Sequence, residues 1–345
     1  MYEADPAQYY WAAEDPSDPH KLVGHLNRKS EAFSRLFKST VLAQRIIRNY
    51  RYYYNLYYQD AAESMDMELK TFGEEGEFVG LSVNQFRSII RHLLVLVTQD
   101  NPTWDTRAVN TDPESLQQAK LGNQILDHYM VFNHCEDFFS RACEHAVILN
   151  VGYVLTEWDR TIGPEIAGDP ETGQILRAGD IRLSTPYITD VVFDFTCRDP
   201  DDIEWIRVRQ ITNKWNLIAR FPEMKEEILK ECDQDKTSSE IIRDPSAQSD
   251  FEDRVITWKF WHKPTAALPM GRYVYSIGDT VLEDTDNEYG ELPIDRVVES
   301  ECVGNCFGYC TGNDLQAPQE GLNAEVSAIA TAHKTANVGH VWVQA

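Results

Sequence analysis

The chain has 345 residues, 42% of them hydrophobic, enough for one large domain or two to three ordinary ones with a sizeable core. A formal net charge of −24 argues against wrapping DNA through basic surface, because that binding works by displacing counterions from phosphates. No apolar run reaches the roughly 18 residues of a membrane span, and the acidic start MYEADPAQYYWAAEDPSDPH lacks the basic and apolar regions of a signal peptide, so the reading is a protein made in a cytoplasm.

In chain order, residues 1–20 read as an extended or weakly ordered arm. Lys21 to Gln59 reads as one long helical pattern, with apolar residues at Leu22, Leu26, Phe33, Leu36, Phe37, Leu42, Ile46 and Ile47. It carries eight cations, among them Lys38, Arg45, Arg48 and Arg51, against the single acid Glu31, and it ends in a tyrosine cluster from Tyr50 to Tyr58. Cations interleaved with aromatics suit nucleic acid. The plainer reading is a helix whose cations face acidic protein.

An acidic, Gly-rich break, FGEEGEFVG, precedes a second unit. Asn84 to Gln99 predicts a buried amphipathic helix stopped by DNPTW, and WDTRAVN a short extended piece. A second helix opens on the capping pattern Asp112-Pro113-Glu114 and carries Leu116, Ala119, Leu126 and Met130. A third, EDFFSRACEHAVILNVG, ends at Gly152. From Tyr153 the hydrophobic period shortens towards two. Strands follow in GYVLTEWDR, IRLSTPYITDVVFDF and WIRVRQITN, with a turn-rich loop from Ile162 to Asp180. Short helices are expected from Lys214 to about Phe221 and in EMKEEILKE, then a mobile polar loop over DQDKTSSEIIRDPSAQSD. DRVITWKFWHKP and RYVYSIGDTVLED read as a hairpin-like pair of strands, and YGELPIDRVVESE returns extended. The last element is a helix. The order is helices, strands, helix, which predicts an α+β fold with mixed or antiparallel sheet rather than a doubly wound one.

Residues suited to chemistry are thinly spread. There is no G-x4-G-K-[ST] loop, no G-x-G-x-x-G, no H-E-x-x-H and no G-x-S-x-G. The seven cysteines are odd in number; Cys302, Cys306 and Cys310 form a C-x3-C-x3-C run that misses zinc and cluster spacings, so small buried thiols around a Gly-rich turn are expected. Asp199, Asp201, Asp202 and Glu204 suit either a divalent cation or a solvated Asp-Pro turn, with the turn preferred. The run EDTDNEYGE has Tyr289 where an EF-hand loop needs glycine. His128, His134 and His145 lack ligand spacing. No catalytic residue, metal site or cofactor is expected.

Several segments together carry a resemblance. NQFRSIIRHLLVLVTQDNPTWDTRAVNTDPESLQQAKLGNQILDHYM pairs an apolar helix with a turn and a polar helix. RACEHAVILNVGYVLTEWD leads from helix to strand through a glycine, and VVFDFTCRDPDDIEWIRVRQIT joins two strands through an acidic turn. GNDLQAPQEGLNAEVSAIATAHK carries Gln319, Asn323 and Ser327 at helical spacing. In this order, over about residues 80–345, they resemble the portal proteins of tailed bacteriophages, most closely the large podovirus-type members.

The resemblance implies an arm (1–20), a basic and aromatic helical region (21–77), an α+β wing (78–312), a stem helix (313–337) and the start of a clip (338–345), the rest of the clip lying beyond this sequence. It implies a virion protein, assembled in the host cytoplasm into a ring of about twelve copies at one capsid vertex, with no membrane partner. Double-stranded DNA would pass through the ring, which would bind the major capsid protein, the large terminase subunit and a head-to-tail adaptor. Leu322, Val326, Ala328, Ile329 and Ala332 would then form the subunit interface of the stem. His333 and Lys334 would face the channel, and Lys38, Arg45, Arg48 and Arg51 would meet the shell or a neighbour. The competing expectations are a metal-dependent phosphoesterase using Asp199, Asp201 and Asp202, and an oligomeric nucleic-acid adaptor using Arg45, Arg48 and Arg51.

Overall fold

The computed structural model describes residues 10–13, 19–56, 70–72, 78–99, 104–168, 175–232 and 253–336. The expected polar loop at 233–250, the clip start at 338–345, Tyr57, Tyr58 and most of the arm lie outside these residues.

The long helix expected from Lys21 onward is two helices, α1 (Pro19–Ser39) and α2 (Val41–Tyr53). Thr40 makes the break. Its hydroxyl donates to the Phe37 carbonyl at 2.6 Å, closing α1, and accepts from the Ala43 amide at 3.4 Å, opening α2. An N-cap threonine with extended backbone can do both, and hydrophobic period alone does not detect it. A short ribbon follows, β1 (Lys70–Phe72) paired with β2 (Phe78–Gly80). Next come α3 (Gln85–Thr98), capped by Asn84, then α4 (Pro113–Phe132) and α5 (Cys135–Leu149).

Two antiparallel sheets form the β part. One has the order β12-β3-β6, from β3 (Gly152–Asp159), β6 (Asp180–Ser184) and β12 (Ile294–Val297). The other has the order β11-β10-β9-β8-β7, from β7 (Val191–Phe193), β8 (Trp205–Asn213), β9 (Arg254–His262), β10 (Arg272–Ile277) and β11 (Thr280–Thr285). The loop expected from Ile162 holds a ribbon of its own, β4 (Glu165–Gly168) on β5 (Ile175–Arg177). RYVYSIGDTVLED is two strands, because Gly278, at φ +50°, and Asp279 turn the chain between the paired Ile277 and Thr280. Helices α6 (Lys214–Arg220) and α7 (Lys225–Cys232) pack beside this sheet, and α8 (Gly312–Ala336) ends the described chain. The fold is α+β. Among the described residues no helix is long and apolar enough to cross a membrane.

One hydrophobic core joins α1, α2, α3, α5 and both sheets. Leu22, Leu26, Phe33 and Phe37 share one face of α1, and the Phe33 ring meets Phe193 at 5.3 Å and Phe195 at 5.6 Å. The same contact includes a buried cation. Arg207 of β8 donates to Ser30 Oγ and Asn27 Oδ1 of α1, both at 2.8 Å, and stacks on Trp258. Burial pulls its guanidinium down to about 9. The two sheets are tied by a nearly dry ion pair, Lys259 Nζ to Glu157 Oε2 at 2.5 Å. Removing one partner of such a pair costs roughly 3–5 kcal/mol, because the other charge stays buried.

Where the expected loose arm is described, it is fastened. Trp11 packs edge-on against Trp205 and Phe260, under the ammonium of Lys29. Tyr10 Oη lies 2.6 Å from His262 Nε2, whose other ring nitrogen is 2.6 Å from the Lys263 carbonyl, so Nδ1 donates there and Nε2 accepts from the phenol. Arg272 grips the Ala12 carbonyl at 2.8 Å while holding Asp284 through two nitrogens.

The passage from α5 into β3 corrects one expectation. Asn150, at φ +73°, ends the helix, and Gly152 serves a different need. A Cβ at Gly152 would sit 1.9 Å from the Ala142 carbonyl oxygen, so only glycine lets β3 start against the helix backbone. Gly152→Ala should therefore destabilise the fold by roughly 2–3 kcal/mol. Gly321→Ala on α8 meets nothing within 4 Å and should stabilise by about 0.5–1 kcal/mol. Urea unfolding of the two variants checks the pair.

Candidate functional site

Helix α8 is unusual in what it buries. Its buried side chains are polar, Gln316, Gln319 and Asn323, while Ala328, Ile329 and Ala332 are exposed. Ordinary amphipathic packing would reverse that arrangement.

The polar residues read the backbone of the segment from Val79 to Phe86. Gln319 Oε1 accepts from the Gln85 and Phe86 amides at 3.1 and 2.9 Å, and its Nε2 donates to the Val83 carbonyl at 2.8 Å. Asn323 Oδ1 accepts from the Val83 amide at 3.2 Å and from Gln319 Nε2 at 2.9 Å. Ser327 Oγ accepts from the Leu81 amide at 3.0 Å and donates to its carbonyl at 3.1 Å. Thr331 Oγ1 accepts from the Val79 amide at 3.0 Å. Four residues of helix rise about 6.0 Å and two residues of strand about 6.6–6.8 Å, so each step along α8 finds the next amide of an extended chain running the opposite way. Over the ladder the mismatch is about 2 Å, which the longer glutamine at one end absorbs.

The network also fixes amide orientation. Backbone N–H groups at Gln85 and Phe86 demand the oxygen of Gln319, which turns its nitrogen onto Asn323 and so demands the oxygen of Asn323 there. Below the ladder, Gln316 Nε2 donates to the Arg45 carbonyl at 3.0 Å and to Asn49 Oδ1 at 2.6 Å. Asn49, fully buried on α2, passes the contact on to the Ile148 carbonyl at 3.2 Å and Asn313 Oδ1 at 3.1 Å.

The ladder covers only one edge of α8. Leu322 and Val326 are half-buried, and Ile329 is 58% exposed. Ala328 and Ala332, with Ser327, Thr331 and β2, line a groove of about 450 Å³. His333 and Lys334 stand exposed in the last turn. The helix expected over 313–337 is described as Gly312–Ala336. It is not left without anchorage in its own chain, since the ladder holds it.

The other candidate residues lie elsewhere. Lys38, Arg45, Arg48 and Arg51 are exposed along α1 and α2, and none makes an ion pair among the described residues. Asp199 accepts from the Asp201 amide at 3.2 Å in a 3-10 turn over Pro200–Asp202, an exposed Asp-Pro turn. Among the described residues no three of His, Cys, Asp and Glu come together to hold a metal. Cys302, Cys306 and Cys310 are free thiols around Gly304 and Gly308; Cys306 donates to the Cys197 carbonyl and Cys310 to Asn150 Oδ1, and burial raises the Cys310 thiol to about 11. His128 stacks on Phe132 and His145 on Tyr187, apart from one another.

The helix α3, expected to be buried, is so only in its first half, at Phe86 and Ile90. Its second half leaves Val95, Leu96 and Val97 exposed, and α4 buries no residue at all. Helical period could not separate these apolar stripes from a core face. WDTRAVN forms no strand; Thr106 instead lies on α4, donating its amide and hydroxyl to Asn123 Oδ1. No family model matches the chain, and no curated protein matches it.

The ladder makes its own test. Gln319→Glu keeps the size but replaces two donated hydrogen bonds with lone-pair repulsion at Val83 and Asn323, and should cost about 2–3 kcal/mol. Ser327→Ala, at a partly exposed rung, should cost about 1 kcal/mol. Hydrogen exchange should quicken at the Val83, Gln85 and Phe86 amides in the first variant and at Leu81 in the second.

Proposed function

We propose that this chain is a portal protein of a tailed bacteriophage, one subunit of a ring of about twelve that sits at a capsid vertex. The ring conducts double-stranded DNA during packaging and ejection. It docks the large terminase subunit and later a head-to-tail adaptor, and its outer part meets the major capsid protein. The observation that carries the reading is α8: a long helix fastened to its own chain by a polar ladder, with an apolar stripe at Leu322, Val326 and Ile329 left over for copies of itself.

Two further features support it. The order of apolar helix, turn, polar helix, helix-to-strand glycine, acidic strand connection and long final helix is that of the resembling family. The charge of −24 suits a conduit, since a strongly basic wall would retain phosphates at every step. On this reading the exposed Lys38, Arg45, Arg48 and Arg51 meet acidic protein, on a neighbour or on the shell, and no residue of the chain is catalytic.

Ala328→Glu places a charge at the proposed subunit contact, where an unpaired ion costs several kcal/mol. Sedimentation should show the assembled species replaced by single folded chains, and an unchanged profile would count against the stem assignment. The purified protein should not hydrolyse ATP or nucleic acid with Mg²⁺ or Mn²⁺ present. Turnover that vanishes in Asp201→Ala would establish the phosphoesterase reading in its place.

A further inference from the structure

Residues 10–13 are fastened to the five-stranded sheet through a contact that contains a buried imidazole. Trp11–Ala13 form a 3-10 turn, closed by the Ala13 amide on the Tyr10 carbonyl at 3.0 Å. Ala12 and His262 are both fully buried, and Trp205 faces His262 across β8 and β9. The Tyr10 ring meets the His262 ring edge-on at 5.5 Å, and Trp11 packs on Trp205 and Phe260 beside it. The arm therefore supplies part of the cover over His262.

In this setting the ring holds one proton. Its Nδ1 donates to the Lys263 carbonyl and its Nε2 accepts from the Tyr10 hydroxyl, both at 2.6 Å. A second proton, on Nε2, would point at the phenol oxygen. The hydroxyl would then have to turn its hydrogen to Glu204 Oε2, a longer contact at 3.3 Å. The imidazolium itself would stay buried beneath the arm.

The charged groups around the ring do little to offset that cost. Glu204, just before β8, is an exposed carboxylate, and Asp194 acts on the phenol of Tyr10. Arg272 of β10 pairs with His262 in register and is a cation already holding Asp284 and the Ala12 carbonyl. Lys263 is a second cation, its Nζ on the Asp201 carbonyl, and Lys29 of α1 is a third, over the rings of Trp11 and Trp205. Burial holds the His262 imidazole below its ordinary range, against the opposing pull of the Lys263 hydrogen bond and the Glu204 charge.

We propose that His262 is a pH-sensitive latch for the N-terminal arm: neutral, it holds Tyr10 and keeps residues 10–13 docked, and protonated, it reaches water only when Tyr10 leaves. A histidine held neutral in the docked state contributes docking stability that is complete above the ordinary imidazole pKa of about 6.5 and is lost as the pH falls below it. The latch is independent of the ring reading above.

Hydroxyl-radical footprinting of the full chain, read by peptide mass spectrometry, tests it, with the buried Trp261 as internal reference. From about pH 8 to about pH 5, oxidation of Tyr10 and Trp11 should rise several-fold while Trp261 stays protected. The ceiling is the ~30-fold that one imidazole of ordinary pKa confers over that range. His262→Gln keeps an acceptor for Tyr10 but does not titrate, so its footprint should not change with pH. Glu204→Gln, at an exposed position, removes the charge that favours a docked imidazolium, so its arm should be released more fully than the wild type's at about pH 5. A flat footprint in the wild type, a rise that Trp261 shares, or the same rise in His262→Gln overturns the latch. So does a release in Glu204→Gln no greater than in the wild type.

Discussion

The structure turns on a set of hydrogen bonds between the side chains of one helix and the main chain of another segment. Gln319, Asn323, Ser327 and Thr331 give α8 a polar edge that behaves like the edge of a strand, and the segment from Val79 to Phe86 pairs with it. Because backbone groups are obligatory donors and acceptors, this pairing specifies register as well as proximity. A slip of one residue would put Val83 N–H opposite no acceptor, and a buried amide without a partner costs about 1–3 kcal/mol. A hydrophobic stripe in the same place would hold the helix less selectively.

The rest of the helical layer follows from that seam. The segment that α8 holds runs directly into α3, so the first turn of α3 is placed by Gln319 as well as by its own cap at Asn84. Through Gln316 and Asn49 the same helix positions α2 and the end of α5, and α5 hands the chain to β3 at Gly152. With Gln316, Gln319 and Asn323 committed inward, α8 leaves Ala328, Ile329 and Ala332 exposed beside the acids Asp314, Glu320 and Glu325. The ladder anchors the helix within its own chain, and the proposed contacts with copies of itself fall to the apolar side chains it leaves uncovered.

Much of this order is legible in the sequence. The shift from helical to strand period at Tyr153, the strands around the acidic turn at Asp199 and the final helix all appear as expected, because each rests on local pattern. Gln319, Asn323 and Ser327 stand out by spacing as well. Their partners do not, since VGLSV carries no sign that its amides will be read by side chains some 240 positions away. Thr40 was hidden because one hydroxyl both closes and opens a helix. The exposed second half of α3 and the exposure of α4 were hidden because helical period marks an apolar stripe without saying whether a core covers it.

The most direct test of this account is an electron-microscopy map of the assembled protein. The account predicts a closed ring with a central hole, in which α8 meets the neighbouring copy along Leu322, Val326 and Ile329 while Gln319 and Asn323 remain on the backbone of their own chain. A map with α8 standing free of every neighbour, or a protein that yields only single particles without a hole, would contradict it.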